Sequence, residues 1–243
     1  ERNGVSKANS TVEYSFLEHC LREDLNERAQ RVMAVLRPVK LTITNYPEGK
    51  SETFDVENNP NRPEDGTRTV TFSRHLWIEQ EDFMEEPIKG YFRLFPGNEV
   101  RLKTAYIVRC TGCRKDENGQ VVEVLAEYDP ASRGGDPADG RKIRGTIHWV
   151  DAETALPAEV RLYDNLFSVP DPDNYDYLEV LNKNSLTVLP DSRVEASLAH
   201  AKSGESFQFM RQGYFCVDNK DSREGALVFN RSVSLKDSFK KKK

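Results

Sequence analysis

The sequence predicts a mainly β chain of two β-barrels preceded by a short helical connector. Three observations carry that prediction. Apolar and polar residues alternate in many short runs, turn residues separate the runs, and only one strong helical repeat occurs, near the N-terminus. For 243 residues, two barrels of about 100 residues each fit the length better than one.

The helical repeat is Phe16, Leu17, Cys20, Leu21 and Leu25, one apolar face over about four turns. Ser10-Thr11-Val12-Glu13 ahead of it fits a capping box. The spacing predicts a helix over 9–29, and a lone helix before a run of strands reads as a connector or strut.

After Val35 the period changes to two. Leu41 and Ile43 alternate with Lys40, Thr42 and Thr44. Val100, Leu102, Tyr106 and Val108 alternate with Arg101, Lys103 and Arg109, broken at Thr104-Ala105. Val122, Val124, Ala126 and Tyr128 form another strand, and Asn118-Gly119 before it predicts a type I′ hairpin, because both residues tolerate positive φ. Ile147 and Trp149 share a face, with His148 opposite. Phe207, Phe209, Phe215 and Val217, then Val228 and Phe229, supply the last strands. Segments 57–67, 130–141 and 170–174 are rich in Pro, Gly, Asp and Asn and read as exposed loops.

The chain is 37% hydrophobic and 31% charged, with a mean hydropathy of −0.70. That is polar, yet nine Tyr, twelve Phe and two Trp can anchor a core. No apolar run approaches the roughly 18–20 residues that cross a bilayer as a helix. The N-terminus has neither Met nor an apolar leader and reads as cut from something longer. The Lys240–Lys243 tail is assigned no function.

The net charge of −5 argues against a non-specific polyanion binder, but not against a specific RNA binder, whose local field decides. From Lys89 to Lys115 seven basic residues face a single acid, Glu99. Charge alone leaves open a solvated strand face or a binding surface. Cys110-Thr111-Gly112-Cys113 has CxxC spacing, but structural zinc takes four ligands, and His148, the nearest histidine, has no paired His or Cys. No metal site is expected, and the thiols read as reduced, in a cytoplasmic protein. There is no GxxxxGK(S/T) phosphate loop, no strand-linked GxGxxG and no GxSxG elbow. Glu85-Glu86 beside Pro87 reads as a loop face. No catalytic residue is nominated, and the chain reads as a binding module.

Several stretches resemble the C-terminal part of class I glutaminyl-tRNA synthetases. They are SFLEHCLREDLN (Ser15–Asn26), RVMAVLRPVKL (Arg31–Leu41), NNPNRPEDGTR (Asn58–Arg68), EVRLKTAYIV (Glu99–Val108), DPADGRKIRGTIHWV (Asp136–Val150), ALPAEVRLYDNLFSVPDP (Ala155–Pro172), GYFCVDNKDS (Gly213–Ser222) and VFNRSVSLKD (Val228–Asp237). The resemblance covers nearly the whole chain. It implies an anticodon-binding region: residues 1–33 as linker to a catalytic domain, 34–46 with 153–243 as a proximal barrel, and 47–152 as an inserted distal barrel. The family's HIGH and KMSKS signatures do not occur here, so the resemblance implies that this stretch alone is inactive and holds no cofactor. ATP and Mg would belong to the parent's catalytic domain, and the parent would join glutamine to its tRNA. The implied partners are the anticodon loop of glutamine tRNA and the catalytic domain, with no membrane, in a monomeric enzyme.

The resemblance also implies roles for single residues. Arg31 and Gln208 fall where the family reads the middle base, uracil. Arg93 falls at the third-base position, guanine, and Arg101 at the first-base position, with Asn61 in a nearby loop motif. Arg and Gln suit such work, since Arg donates as a planar fork and Gln offers both a donor and an acceptor. Lys103, Arg211, Lys236 and Phe92 are candidate backbone or flanking contacts. Three positions depart from the family pattern: Phe92 where Lys is common, Lys103 for an Arg and Met210 for a Glu. Two further readings stay open: the corresponding region of a eukaryote-type glutamyl-tRNA synthetase, and a stand-alone RNA-binding barrel module.

Overall fold

The computed structural model describes residues 14–169 and 171–236. The Ser10–Glu13 capping box and the Lys240–Lys243 tail therefore lie outside the described residues. Helix α1 (Tyr14–Arg28) leads into β1 (Gln30–Val32), β2 (Ala34–Val35), β3 (Pro38–Ile43), β4 (Glu52–Glu57), β5 (Thr67–Phe72) and β6 (His75–Glu79). Then follow β7 (Glu99–Leu102), β8 (Ile107–Lys115), β9 (Val121–Tyr128), β10 (Gly145–Ile147), β11 (Val150–Asp151) and β12 (Leu156–Tyr163). A one-turn helix, α2 (Tyr177–Val180), precedes β13 (Leu186–Val194), β14 (Ser206–Phe209), β15 (Gly213–Val217) and β16 (Leu227–Ser234).

The strands form a seven-stranded sheet ordered β1-β14-β15-β16-β12-β13-β2, a second ordered β10-β7-β8-β9-β3-β6-β11, and the hairpin β4–β5. In each large sheet the two edge strands are close in the chain: β1 and β2 flank Met33, and β10 and β11 flank His148-Trp149. One short segment thus supplies both edges, and the architecture is mainly β, with one nearly closed barrel and one half-barrel. The chain leaves the first sheet at Val35, builds the second, and returns at Leu156. Residues 38–43, grouped from the sequence with the proximal barrel, hydrogen-bond to β6 and β9 in the second sheet.

The run Val32–Leu36 shows how the two cores are joined. Val32, Ala34 and Leu36 enter the first core with Phe209, Phe215 and Phe229, while Met33 and Val35 enter the second. Alternate residues of an extended chain face opposite ways, so five consecutive apolar residues serve two interiors. In the second core Tyr46, Phe54, Phe72, Tyr106, Tyr128 and Trp149 meet edge to face, with centroids 4.9–5.9 Å apart. Glu52 accepts the Tyr46 and Tyr106 hydroxyls at 2.8 and 2.9 Å. Burial, then that bond, push the Tyr106 hydroxyl up to about 12.

Two local expectations are corrected. Leu25 is buried, but Leu17 is 58% exposed, so α1 covers only part of its apolar face with β14–β16. The β8–β9 hairpin forms, yet Asn118 does not take positive φ; only Gly119 does, at 78°. Asp116 Oδ1 accepts the Asn118 and Gln120 amides, and Asp116 pairs through its backbone with Gln120 across three loop residues. A side chain that satisfies the turn locally favours this longer loop over type I′.

Gly145 starts β10 where a Cβ would lie 2.1 Å from the Phe92 carbonyl oxygen. Backbone cannot yield as a flexible side chain can, so Gly145→Ala is expected to destabilise the fold by about 1–3 kcal/mol. Chemical denaturation reads this directly, and an unchanged midpoint would show that β10 shifts freely.

Candidate nucleic-acid interface

A cavity of about 750 Å³ opens between the two sheets. Arg31, Gln208, Met210 and Arg211 line it from the first sheet and the turn after it, Arg101 and Lys103 from the second, and Asp55, Glu57 and Asp136 add three carboxylates. β1 and β14 run parallel with Arg31 opposite Gln208, while the neighbouring Val32, Phe207 and Phe209 face the core. The two polar side chains therefore emerge together. Arg31 Nη2 donates to Asn26 Oδ1 at 3.3 Å. Arg31 Nε and Gln208 Oε1 are buried and have no hydrogen-bond partner in the protein. An unmet donor beside an unmet acceptor is costly to fold and calls for a partner from outside.

The facing wall is β7. Arg101 lies on it, Lys103 follows in the turn just past its end, and Thr104 there takes a φ of 68°. Arg101 Nε donates to the Gly135 carbonyl, and Nη2 lies 3.3 Å from Asp136. Lys103 is exposed, with no ion-pair partner among the described residues. The basic run is thus not a bare patch. Arg93, Arg101, Arg109, Arg114 and Lys115 pair with Asp82, Asp136, Glu99, Glu123 and Glu85 respectively.

Between the sheets sits a buried polar joint. Asp82 is fully buried, and its two oxygens accept from Arg211 Nη2 and Nη1, both at 2.7 Å. Burial alone would lower the Arg211 guanidinium, but Asp82 holds it above its ordinary value. Arg211 Nη1 also donates to His148 Nδ1 at 3.2 Å. A guanidinium only donates, so Nδ1 accepts and the ring proton sits on Nε2, which lies 3.5 Å from Glu79 but makes no hydrogen bond. Glu79 accepts the Leu36 and Arg37 amides and the Gln212 side chain.

The other nominated residues lie around this centre. Arg93 Nη1 is 2.9 Å from Asp82 Oδ1. Phe92 is 49% exposed on a separate groove of about 430 Å³, with the Arg144 guanidinium 5.3 Å above its ring. Asn61 is exposed on the loop whose Pro60 lines the cavity, and it donates to the Asn26 carbonyl at 3.2 Å. Lys236 follows β16 and does not line the cavity. The structure thus brings Arg31, Gln208, Arg101, Lys103 and Arg211 together and leaves Phe92 and Lys236 apart.

Sequence reasoning missed Asp82, His148 as an acceptor, and Asn59. Asn59 is 1% exposed and donates to the Glu27 and Ala29 carbonyls, closing the end of α1 against the cavity loop. The doubled asparagine in NNPNRPEDGTR was the available signal for Asn59, whereas Gln80-Glu81-Asp82 reads as a solvated turn. Among the described residues, no group of three or more His, Cys, Asp or Glu could hold a metal ion, and no helix is long and apolar enough to cross a membrane.

Two family models match, both described as class I tRNA synthetase (E and Q) anticodon-binding domains. One covers residues 29–129 and the other residues 146–218. The chain belongs to this family. The barrel architecture agrees with that membership. Among curated relatives, a protein named glutamine–tRNA ligase from Clostridium kluyveri is 55% identical over 240 residues, 98% of this chain. The protein of that name from Bradyrhizobium diazoefficiens is 54% identical over 99% of the chain, and that of Vibrio cholerae 53% over 99%. The chain spans 43% of the length of each of these relatives.

Proposed function

We propose that this chain reads the anticodon of glutamine tRNA within an enzyme that joins glutamine to that tRNA using ATP. The observation that carries the reading is the pair of orphaned buried atoms, Arg31 Nε and Gln208 Oε1, side by side in a cavity. Uracil presents a ring N–H beside carbonyl oxygens. Gln208 Oε1 can accept the first and Arg31 can donate to the second, whereas the cytosine edge presents an acceptor where uracil has its N–H. The names of the relatives support glutamine over glutamate as the amino acid.

In this reading Arg101 faces the first base with Lys103 as a flanking contact, Asn61 shapes the adjoining loop, and Arg93 takes the third. Arg211 lines the middle-base pocket, and Phe92 and Lys236 are flanking contacts. The chain divides into a linker, a proximal barrel and an inserted distal barrel, and the pairing of 38–43 with the second sheet supports placing the first crossing near residue 37. ATP, with Mg, would bind a catalytic domain outside this stretch, in a cytoplasmic monomer.

The test is a titration of the full-length protein with glutamine tRNA and with a variant whose middle uracil is cytosine. Salt must be held constant, because phosphate contacts dominate affinity and vary steeply with it. The variant is expected to bind about 1–3 kcal/mol more weakly, typical of one lost base contact. Equal binding would overturn the reading. A third-base guanine-to-cytosine change that improved binding would favour the glutamate branch of the same family.

A further inference from the structure

We propose that Asp82 is a positioning residue that couples recognition of the middle and third anticodon bases. The proposal rests on the site assignment above, and the contacts of Asp82 supply its geometry. Asp82 Oδ1 receives Arg211 Nη2 at 2.7 Å and Arg93 Nη1 at 2.9 Å, and Oδ2 receives Arg211 Nη1 at 2.7 Å. Arg211 lines the cavity beside Gln208, and Arg93 stands on the other side of the carboxylate at the third-base position. One fully buried anion therefore orients two guanidiniums, one at each subsite.

Each arginine has a further partner: Arg211 Nη1 also donates to His148 Nδ1 at 3.2 Å, and Arg93 Nη1 to the Glu81 carbonyl at 3.3 Å. Arg211 holds a φ of 68° in the tight turn between β14 and β15, where the Gln212 amide donates to the Phe209 carbonyl at 2.9 Å. The segment carrying Arg93 is clamped to the segment carrying Asp82: the Leu94 amide donates to the Asp82 carbonyl at 2.9 Å and the Tyr91 hydroxyl to the Glu81 carbonyl at 3.0 Å. Burial and Asp82 raise the Tyr91 hydroxyl, which keeps it protonated as that donor.

The sharing gives the coupling its sign. Both cations draw on Oδ1. A third base that turns Arg93 toward itself frees Oδ1 for Arg211, which firms the wall and the Met210-Arg211-Gln212 turn that follows Gln208. A correct third base thus sharpens reading of the middle base, and reciprocally. Groups that share one partner are non-additive, and Asp82 is the shared partner here.

The experiment is a four-way cycle on the RNA, using the full-length protein at one fixed salt concentration. The four ligands are glutamine tRNA, the middle-base cytosine variant, a third-base adenine variant and the double variant. In wild type, the combined loss of affinity is expected to be at least about fivefold smaller than the product of the two single losses. In Asp82→Asn, both single losses shrink and the cycle closes additively. Additive losses in wild type would overturn the proposal without any variant having to fold. An equal loss on all four RNAs in Asp82→Asn would mark a merely structural role and also overturn it. Wild-type indifference to both single changes would instead sink the site assignment, and this proposal with it.

Discussion

Gln208→Ala is expected to erase most of the discrimination between uracil and cytosine at the middle anticodon base. Gln208 sits between Phe207 and Phe209 on β14, and the two rings lock the backbone by facing the first core. Its side chain is left on the cavity side with its oxygen buried and unpaired. Removing that acceptor takes away a buried, unpaired group that can receive a ring N–H. The loss should be about 1–3 kcal/mol on the uracil tRNA, with little change on the cytosine variant. Stability should hold or rise slightly, because an orphaned buried acceptor disappears with the side chain. Paired titrations and a denaturation curve read both effects. A uniform drop on both RNAs would assign Gln208 to general affinity and leave base choice to another group.

The second large effect is on stability. Arg68 on β5 and Glu195 just after β13 form a buried ion pair, with side chains 9% and 5% exposed. Arg68 Nε and Nη2 both donate to Glu195, which also accepts the Met33 amide at 2.8 Å and the Ser197 hydroxyl. The pair ties the β4–β5 hairpin to the first barrel. Arg68→Ala strands a buried carboxylate and is expected to cost about 3–5 kcal/mol. For a chain of this size that lowers Tm by on the order of 10 °C. Arg68→Met with Glu195→Gln keeps an acceptor for the Met33 amide and removes both charges, so it should recover most of the loss. A cost below about 1 kcal/mol for Arg68→Ala would mean that water reaches the pair and screens it.

How much of this was legible beforehand differs by residue. Period-two patterning marked β3, β7, β9 and β14 because alternation is a local property of the chain. It could not resolve Val32–Leu36, an unbroken apolar run that acquires meaning only when two cores lie on its two sides. Asn118-Gly119 marked a hairpin, but the turn type depended on the Asp116 carboxylate two residues earlier. The basic run marked the face of β7, while its counter-charges at Asp82, Glu85, Glu123 and Asp136 lie on other elements.

Fold class and kinship were readable from the residues in order, because alternation, turns and long diagnostic strings run along the chain. The kinship also nominated Arg31, Gln208 and Arg101. Which polar atoms are buried, which are paired and which are left open emerged only from the folded arrangement. Arg211 and Asp82 are 129 residues apart and meet in a bidentate bond. Arg31 and Gln208 share a register across two parallel strands, yet one atom of each finds no partner in the protein. Burial and hydrogen-bond satisfaction are properties of neighbours in space. A one-dimensional pattern cannot state them when those neighbours come from opposite ends of the chain.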